Sequence, residues 1–218
     1  MADRLTARER GRDGERGYTL VELLVAMTVF SVFLALFIAG VVVVSRTSTQ
    51  ATIDAQTASS TGIALQRIER TARYADAVNQ PGVVGGNAYV EWRTDAISAP
   101  SGVTTCSQLR YRPSDGTIAL RTWAATEVPS TSTWNVLTTK VRGTASTTYP
   151  FATVLAASGV SNYQGLTVHI LAGLDDRIGT DITTTVYAKN SSVESPSNAI
   201  GAAGQSLSPV CAGSGYRP

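Results

Sequence analysis

An apolar run from Leu20 to Val44 constrains this chain more than any other feature, and only Glu22 and the hydroxyls of Thr28 and Ser31 break it. At ~1.5 Å per residue, about 25 helical residues reach roughly 38 Å, which exceeds a hydrocarbon core of ~30 Å. The run therefore predicts one membrane-crossing helix. Glu22 is the anomaly in it, because an ionisable group costs about 2.5–3.5 kcal/mol at mid-bilayer and an anchor alone has no use for one. A carboxylate snorkelling to the headgroups is the plain alternative.

The flanks set the direction of the helix. Arg4, Arg8, Arg10, Arg12 and Arg16 precede the run, and only Arg46 closely follows it. That asymmetry predicts an N-terminus in the cytoplasm and an exported remainder. A secretory signal peptide is cut after its apolar segment, whereas the charged leader here ends at Gly17, ahead of it. The helix is expected to be kept.

The sequence Gly17-Tyr18-Thr19-Leu20-Val21-Glu22 follows a basic hydrophilic leader and opens an apolar helix. This arrangement resembles the type III signal of type IV pilins and pseudopilins over residues 11–45. The resemblance implies that a prepilin peptidase cleaves after Gly17 and methylates the new amine of Tyr18. It also implies that Glu22 pairs with the amine of a neighbouring subunit during filament assembly. A buried ammonium and a buried carboxylate each cost several kcal/mol alone and much less once paired, which agrees with that role. Two positions depart from the family pattern: Tyr18 stands where phenylalanine is usual, and Ala39-Gly40 stands where many major pilins carry a proline.

Removing residues 1–17 leaves about 200 residues, enough for one long helix and one head of ordinary domain size. The net charge of +2 gives no basic stripe for nucleic acid. Lysine is confined to Lys140 and Lys189, while serine, threonine and glycine abound, which reads as a solvated, β-rich exterior. Cys106 and Cys211 both lie in the exported part, where disulfides persist, so a bridge between them is expected. It would close a loop of roughly 100 residues and stabilise by up to about 4.7 kcal/mol in the chain-entropy description. Two buried free thiols are the alternative.

Residues 46–77 continue without proline, and Ala51, Ala55, Ala58, Gly62, Leu65, Ile68, Ala72 and Ala75 recur at spacings of three and four. This predicts an amphipathic continuation of the helix that lies on its own head, ended by Asn79-Gln80-Pro81-Gly82. Strands are expected at Ala88–Arg93, Val103–Arg112, Thr117–Trp123, Trp134–Val141, Leu166–Leu171 and Ile182–Lys189. Pro113-Ser114-Asp115-Gly116 makes the second and third of these a hairpin. A helix followed by a run of strands argues for an α+β fold with a mainly antiparallel sheet. The pilin resemblance implies the same architecture. Val186-Tyr187-Ala188-Lys189-Asn190 is similar to the closing strand of larger minor pseudopilins of the J-like or W-like class. The head thus covers residues 78–190, and residues 191–218 form a Ser/Gly-rich tail that Cys211 ties to the sheet.

Candidate chemistry is sparse. His169 is the only histidine and lies out of phase with Leu166, Val168 and Ile170, as a structural or solvated side chain. One histidine and two distant cysteines assemble neither a triad nor a zinc site. Asp175, Asp176 and Asp181 form the one carboxylate cluster; calcium takes such oxygens, but Arg177 and the Ile178-Gly179 turn read equally as a hairpin loop. No cofactor is expected. Trp92, Trp123 and Trp134 are expected between sheet and helix.

These features together predict a non-enzymatic minor pilin or pseudopilin of a type IV pilus, competence pilus or type II secretion pseudopilus. Its partners are other pilins, the prepilin peptidase and the inner membrane, which residues 18–45 cross. The rival is a single-pass membrane protein whose exported β domain binds a ligand or a wall component, without processing at Gly17.

Overall fold

The computed structural model describes residues 18–129, 132–173, 179–213 and 216–218. A single α-helix, α1, spans Leu20–Ala72. It is followed by β1 (Ala77–Val78), β2 (Gly82–Val84), β3 (Asn87–Thr94), β4 (Thr105–Arg112), β5 (Thr117–Ala124), β6 (Asn135–Thr138), β7 (Phe151–Val154), β8 (Gly165–Ala172) and β9 (Thr180–Tyr187). The architecture is α+β, with a long N-terminal helix and a mainly antiparallel β head.

The chain divides after Thr49 into two units. In the first, the side chains of α1 from Leu20 to Thr49 are exposed. Thr28 and Ser31 turn their hydroxyls onto the carbonyls of Val25 and Met27, at 2.8 and 2.7 Å. The hydroxyl breaks in the apolar run are thereby satisfied inside the helix.

In the second unit, Thr57, Thr61, Ala64, Ile68 and Ala72 of α1 are buried. The expected stripe is right at Ile68, Ala72 and Ala75 but wrong earlier, since Ala51, Ala55 and Ala58 are exposed. The head selects the helix face carrying Thr57 and Thr61 instead. Threonine hides a methyl in such a contact, and a search for small apolar residues passes over it. The helix also stops at Ala72, short of Ala77, because Ala77 and Val78 pair with Arg93 and Trp92 of β3. Sheet and loop donors replace the missing next turn. The Trp92 indole N–H donates to the Thr71 carbonyl at 3.1 Å, Lys189 N–H to Arg73 at 2.7 Å, and the Asn190 amide to Tyr74 at 3.0 Å.

β1-β3-β4-β5-β6 form one antiparallel sheet, with β2 also on β3, and β7-β8-β9 form a second. Ala88, Val90, Trp92, Leu109, Tyr111, Ile118 and Leu120 of the first sheet share one core with Ile68 and Ala72 of α1 and with Phe151, Leu166, Val168 and Ile170 of the second. Leu109 faces Leu120 and Tyr111 faces Ile118 in the β4–β5 register, as their alternation predicts. β1, β2 and β7 are strands that the sequence reading omits.

Of the three tryptophans, only Trp92 lies between sheet and helix. Trp123 pairs with Cys106 and shares a face with Arg121, the sheet face turned away from α1. Trp134 is half-buried, stacked by the guanidinium groups of Arg110 and Arg121 at 4.1 and 4.5 Å. The face away from the helix is not the solvated exterior that composition suggests: Tyr89, Glu91, Gln108 and Arg121 are all buried there.

Candidate functional site

α1 starts with a cap. Thr19 Oγ1 accepts the Glu22 backbone N–H at 3.2 Å, and the Thr19 carbonyl accepts Leu23 N–H at 3.1 Å. Thr19 is therefore the N-cap and Glu22 the third helical residue, the spacing of a capping box. A carboxylate in the first turn also meets the positive end of the helix dipole, which is worth about 0.3–1 kcal/mol. The T-x-x-E signal was present in the sequence and gives Glu22 a local role beside any intermolecular one.

Among the described residues the Glu22 carboxylate has no side-chain partner, and it is the one ionisable group other than Tyr18 between Tyr18 and Ser45. Tyr18 is 83% exposed, and Leu20, Phe33, Leu36 and Phe37 are all more than half exposed. The helix is long and apolar enough there to cross a membrane, and none of that stretch is buried. Leu36, Phe37, Gly40, Val41, Val44, Ser45 and Ser48 line a shallow apolar hollow along the helix. Beyond the helix's own adjacent backbone, no described atom lies within 4 Å of the position a Cβ on Gly40 would take, so packing among the described residues does not require glycine there.

A family signature described as the prokaryotic N-terminal methylation motif matches residues 12–38. The chain carries a type IV pilin signal. No curated protein and no solved structure matches the chain. The pilin signal covers the N-terminal segment alone, and no comparison covers the head.

Gly17 lies outside the described residues, as do Asp175 and Asp176. Asp181 is described: its Oδ1 lies 2.8 Å from His169 Nε2, and the His169 ring sits edge-on to Tyr149 with centroids 5.2 Å apart. His169 thus belongs to a surface cluster with Asp181 on the outer side of β8 and β9. Among the described residues, no three His, Cys, Asp or Glu side chains gather as a metal site. Cys106 and Cys211 are joined in a disulfide across a separation of 105 residues.

The sequence reading missed the cluster beneath that disulfide. Glu91 of β3 is fully buried. Its oxygens accept from Arg217 Nε at 2.9 Å, Arg217 Nη2 at 2.7 Å, Gln108 Nε2 at 2.7 Å and Asn79 Nδ2 at 3.2 Å. Burial by itself would lower the Arg217 pKa, but the bond to Glu91 and its charge outweigh that and raise it. Nearby Arg121 is pushed the other way, by burial and by the charge of Arg110. It keeps donors on Gln108 Oε1 at 2.7 Å and on the Pro129 carbonyl at 2.7 Å.

Proposed function

We propose that this chain is a minor pilin or pseudopilin, trimmed by a prepilin peptidase after Gly17 and assembled into a filament through the first part of α1. One observation carries the reading. The methylation motif at residues 12–38 opens a helix whose apolar side chains from Leu20 to Val44 are exposed and whose first-turn carboxylate, Glu22, has no side-chain partner among the described residues. Such a surface suits lipid first and the helices of other subunits afterwards, where packing rather than water drives association. The bare backbone at Gly40 fits close helix approach. Tyr18 supplies the amine and Glu22 the carboxylate that meets it. The N-terminus faces the cytoplasm and the head is exported. The protein acts by assembly and catalyses nothing.

Sequencing the mature protein purified from cells tests the cut: it is expected to start at a methylated Tyr18, and a start at Met1 overturns the reading. Gly17→Asp should leave the precursor unprocessed. Glu22→Ala should mature but enter filaments poorly, and undiminished incorporation would remove the charge-pairing role.

A further inference from the structure

The sheet face that carries Glu91, Gln108 and Arg121 is polar yet closed, and residues 210–213 and 216–218 close it. Two sets of non-covalent bonds bracket Cys211 on this strap. Before it, Val210 and Asn79 exchange two hydrogen bonds: Asn79 Nδ2 donates to the Val210 carbonyl at 2.8 Å, and Val210 N–H donates to Asn79 Oδ1 at 2.9 Å. After it, Arg217 lies in a built cradle. Its guanidinium grips both Glu91 oxygens and also donates to the Gln80 carbonyl at 2.9 Å. The cradle depends on Gly82, where an added Cβ would stand 2.0 Å from Arg217 Nη1. Two further contacts hold the strap: the Tyr216 carbonyl accepts from Arg121 Nη2 at 3.0 Å, and Tyr89 donates its hydroxyl to the Pro218 carbonyl. Beneath the bracket Cys106 is 1% exposed, while Cys211 is half-buried.

We propose that the strap seats itself: the Arg217 cradle and the Asn79–Val210 pair close it without the disulfide, and the Cys106–Cys211 bond then locks a face that is already shut. Arg217 is a positioning residue for the cysteine pair. Two thiols separated by 105 residues meet rarely in a loose chain, because closing a long loop costs entropy. Anchors on both sides of Cys211 have met that cost before any sulfur reacts. The chemical step is exchange with a small disulfide such as oxidised glutathione. The more accessible Cys211 thiolate attacks it and releases one reduced glutathione. The Cys106 thiolate then displaces the second from the mixed disulfide. The two cysteines together give up two protons and two electrons, and the glutathione disulfide becomes two thiols. The device suits a protein whose cysteines are reduced in the cytoplasm and oxidised after export.

The test uses the full chain in detergent, equilibrated across ratios of reduced to oxidised glutathione, with the bridged fraction read by mass after quenching. Arg217→Ala should lower the equilibrium constant for bridging by more than tenfold, Arg217→Lys should recover only part of it, and Asn79→Ala should give a smaller drop. Arg112→Ala, at the β4–β5 turn, should leave it unchanged. A readout without substitution is alkylation of the reduced protein. Both thiols should react at least tenfold more slowly than in urea while far-UV circular dichroism is retained. Bridging that Arg217→Ala does not alter, reduced thiols that alkylate at the unfolded rate, or a head that loses its structure on reduction would each overturn the proposal.

Discussion

Ile68→Ala probes how α1 holds the head. Ile68 is fully buried and belongs to the core shared by α1 and both sheets. The substitution removes three carbons, worth about 0.8 kcal/mol each in transfer, and leaves a cavity that raises the loss into the range of about 2–5 kcal/mol. Alanine returns only about 0.5 kcal/mol through better helix propensity. For a unit the size of Gln50–Pro218, each kcal/mol shifts the melting temperature by about 2–4 °C, so a net loss of about 3 kcal/mol predicts a fall of roughly 6–12 °C. Leu36→Ala on the same helix is the control, because Leu36 is 69% exposed and should leave the melting temperature within about 1–2 °C. Thermal unfolding of the detergent-solubilised full chain, followed by tryptophan fluorescence, separates the two. A fall below about 3 °C for Ile68→Ala, or equal falls for both variants, would refute the claim that the second part of α1 is core and the first part is surface.

Gly82→Ala should destabilise by about 1–3 kcal/mol, since the new Cβ displaces the Arg217 guanidinium and strands the Glu91 charge; urea denaturation measures it, and a neutral result would count against the cradle. Tyr111 links the head to high pH. Burial, helped by the charge of Tyr149, pushes its hydroxyl up to about 12, and that hydroxyl donates to the Gly143 carbonyl at 2.7 Å. The folded head therefore holds a proton that the unfolded chain releases near pH 10. Stability is complete below that point and should fall by up to about 2–3 kcal/mol as pH rises toward 12. In Tyr111→Phe the slope over that interval should flatten, and an unchanged slope in pH-dependent melting curves would assign the loss to other groups.

The parts legible in the sequence are those fixed by neighbours along the chain. The apolar run needs no tertiary contact to identify it, and the β4–β5 turn carries its own chemistry. Asp115 Oδ1 accepts the Thr117 hydroxyl at 2.7 Å, and Gly116 adopts a φ of 61° with the Val141 carbonyl 2.7 Å from where its Cβ would be. The missed parts are set by distant partners. Thr57 and Thr61 became the buried helix face because the head chose it, and β7 follows a polar run whose composition reads as loop. Glu91, Gln108 and Arg121 alternate as an exposed strand face would, and partners off their own strands, the strap around Cys211 together with Asn79, Pro129 and Trp134, turn them inward.

Glu22 and Glu91 bring the two halves of the problem together. Glu91 is fully buried, and Glu22 opens a helix long and apolar enough to cross a membrane; a charge taken out of water costs several kcal/mol unless something answers it. For Glu91 the chain supplies the answer in full, with Arg217, Asn79 and Gln108 filling its oxygens. For Glu22 the described residues supply a capped helix start and no cation. If assembly takes that helix out of water, as proposed, the same rule that fills the oxygens of Glu91 asks for a cation from another subunit at Glu22. By this logic Glu91→Gln should weaken the isolated head. Glu22→Gln should leave the head untouched and fail only when subunits must meet.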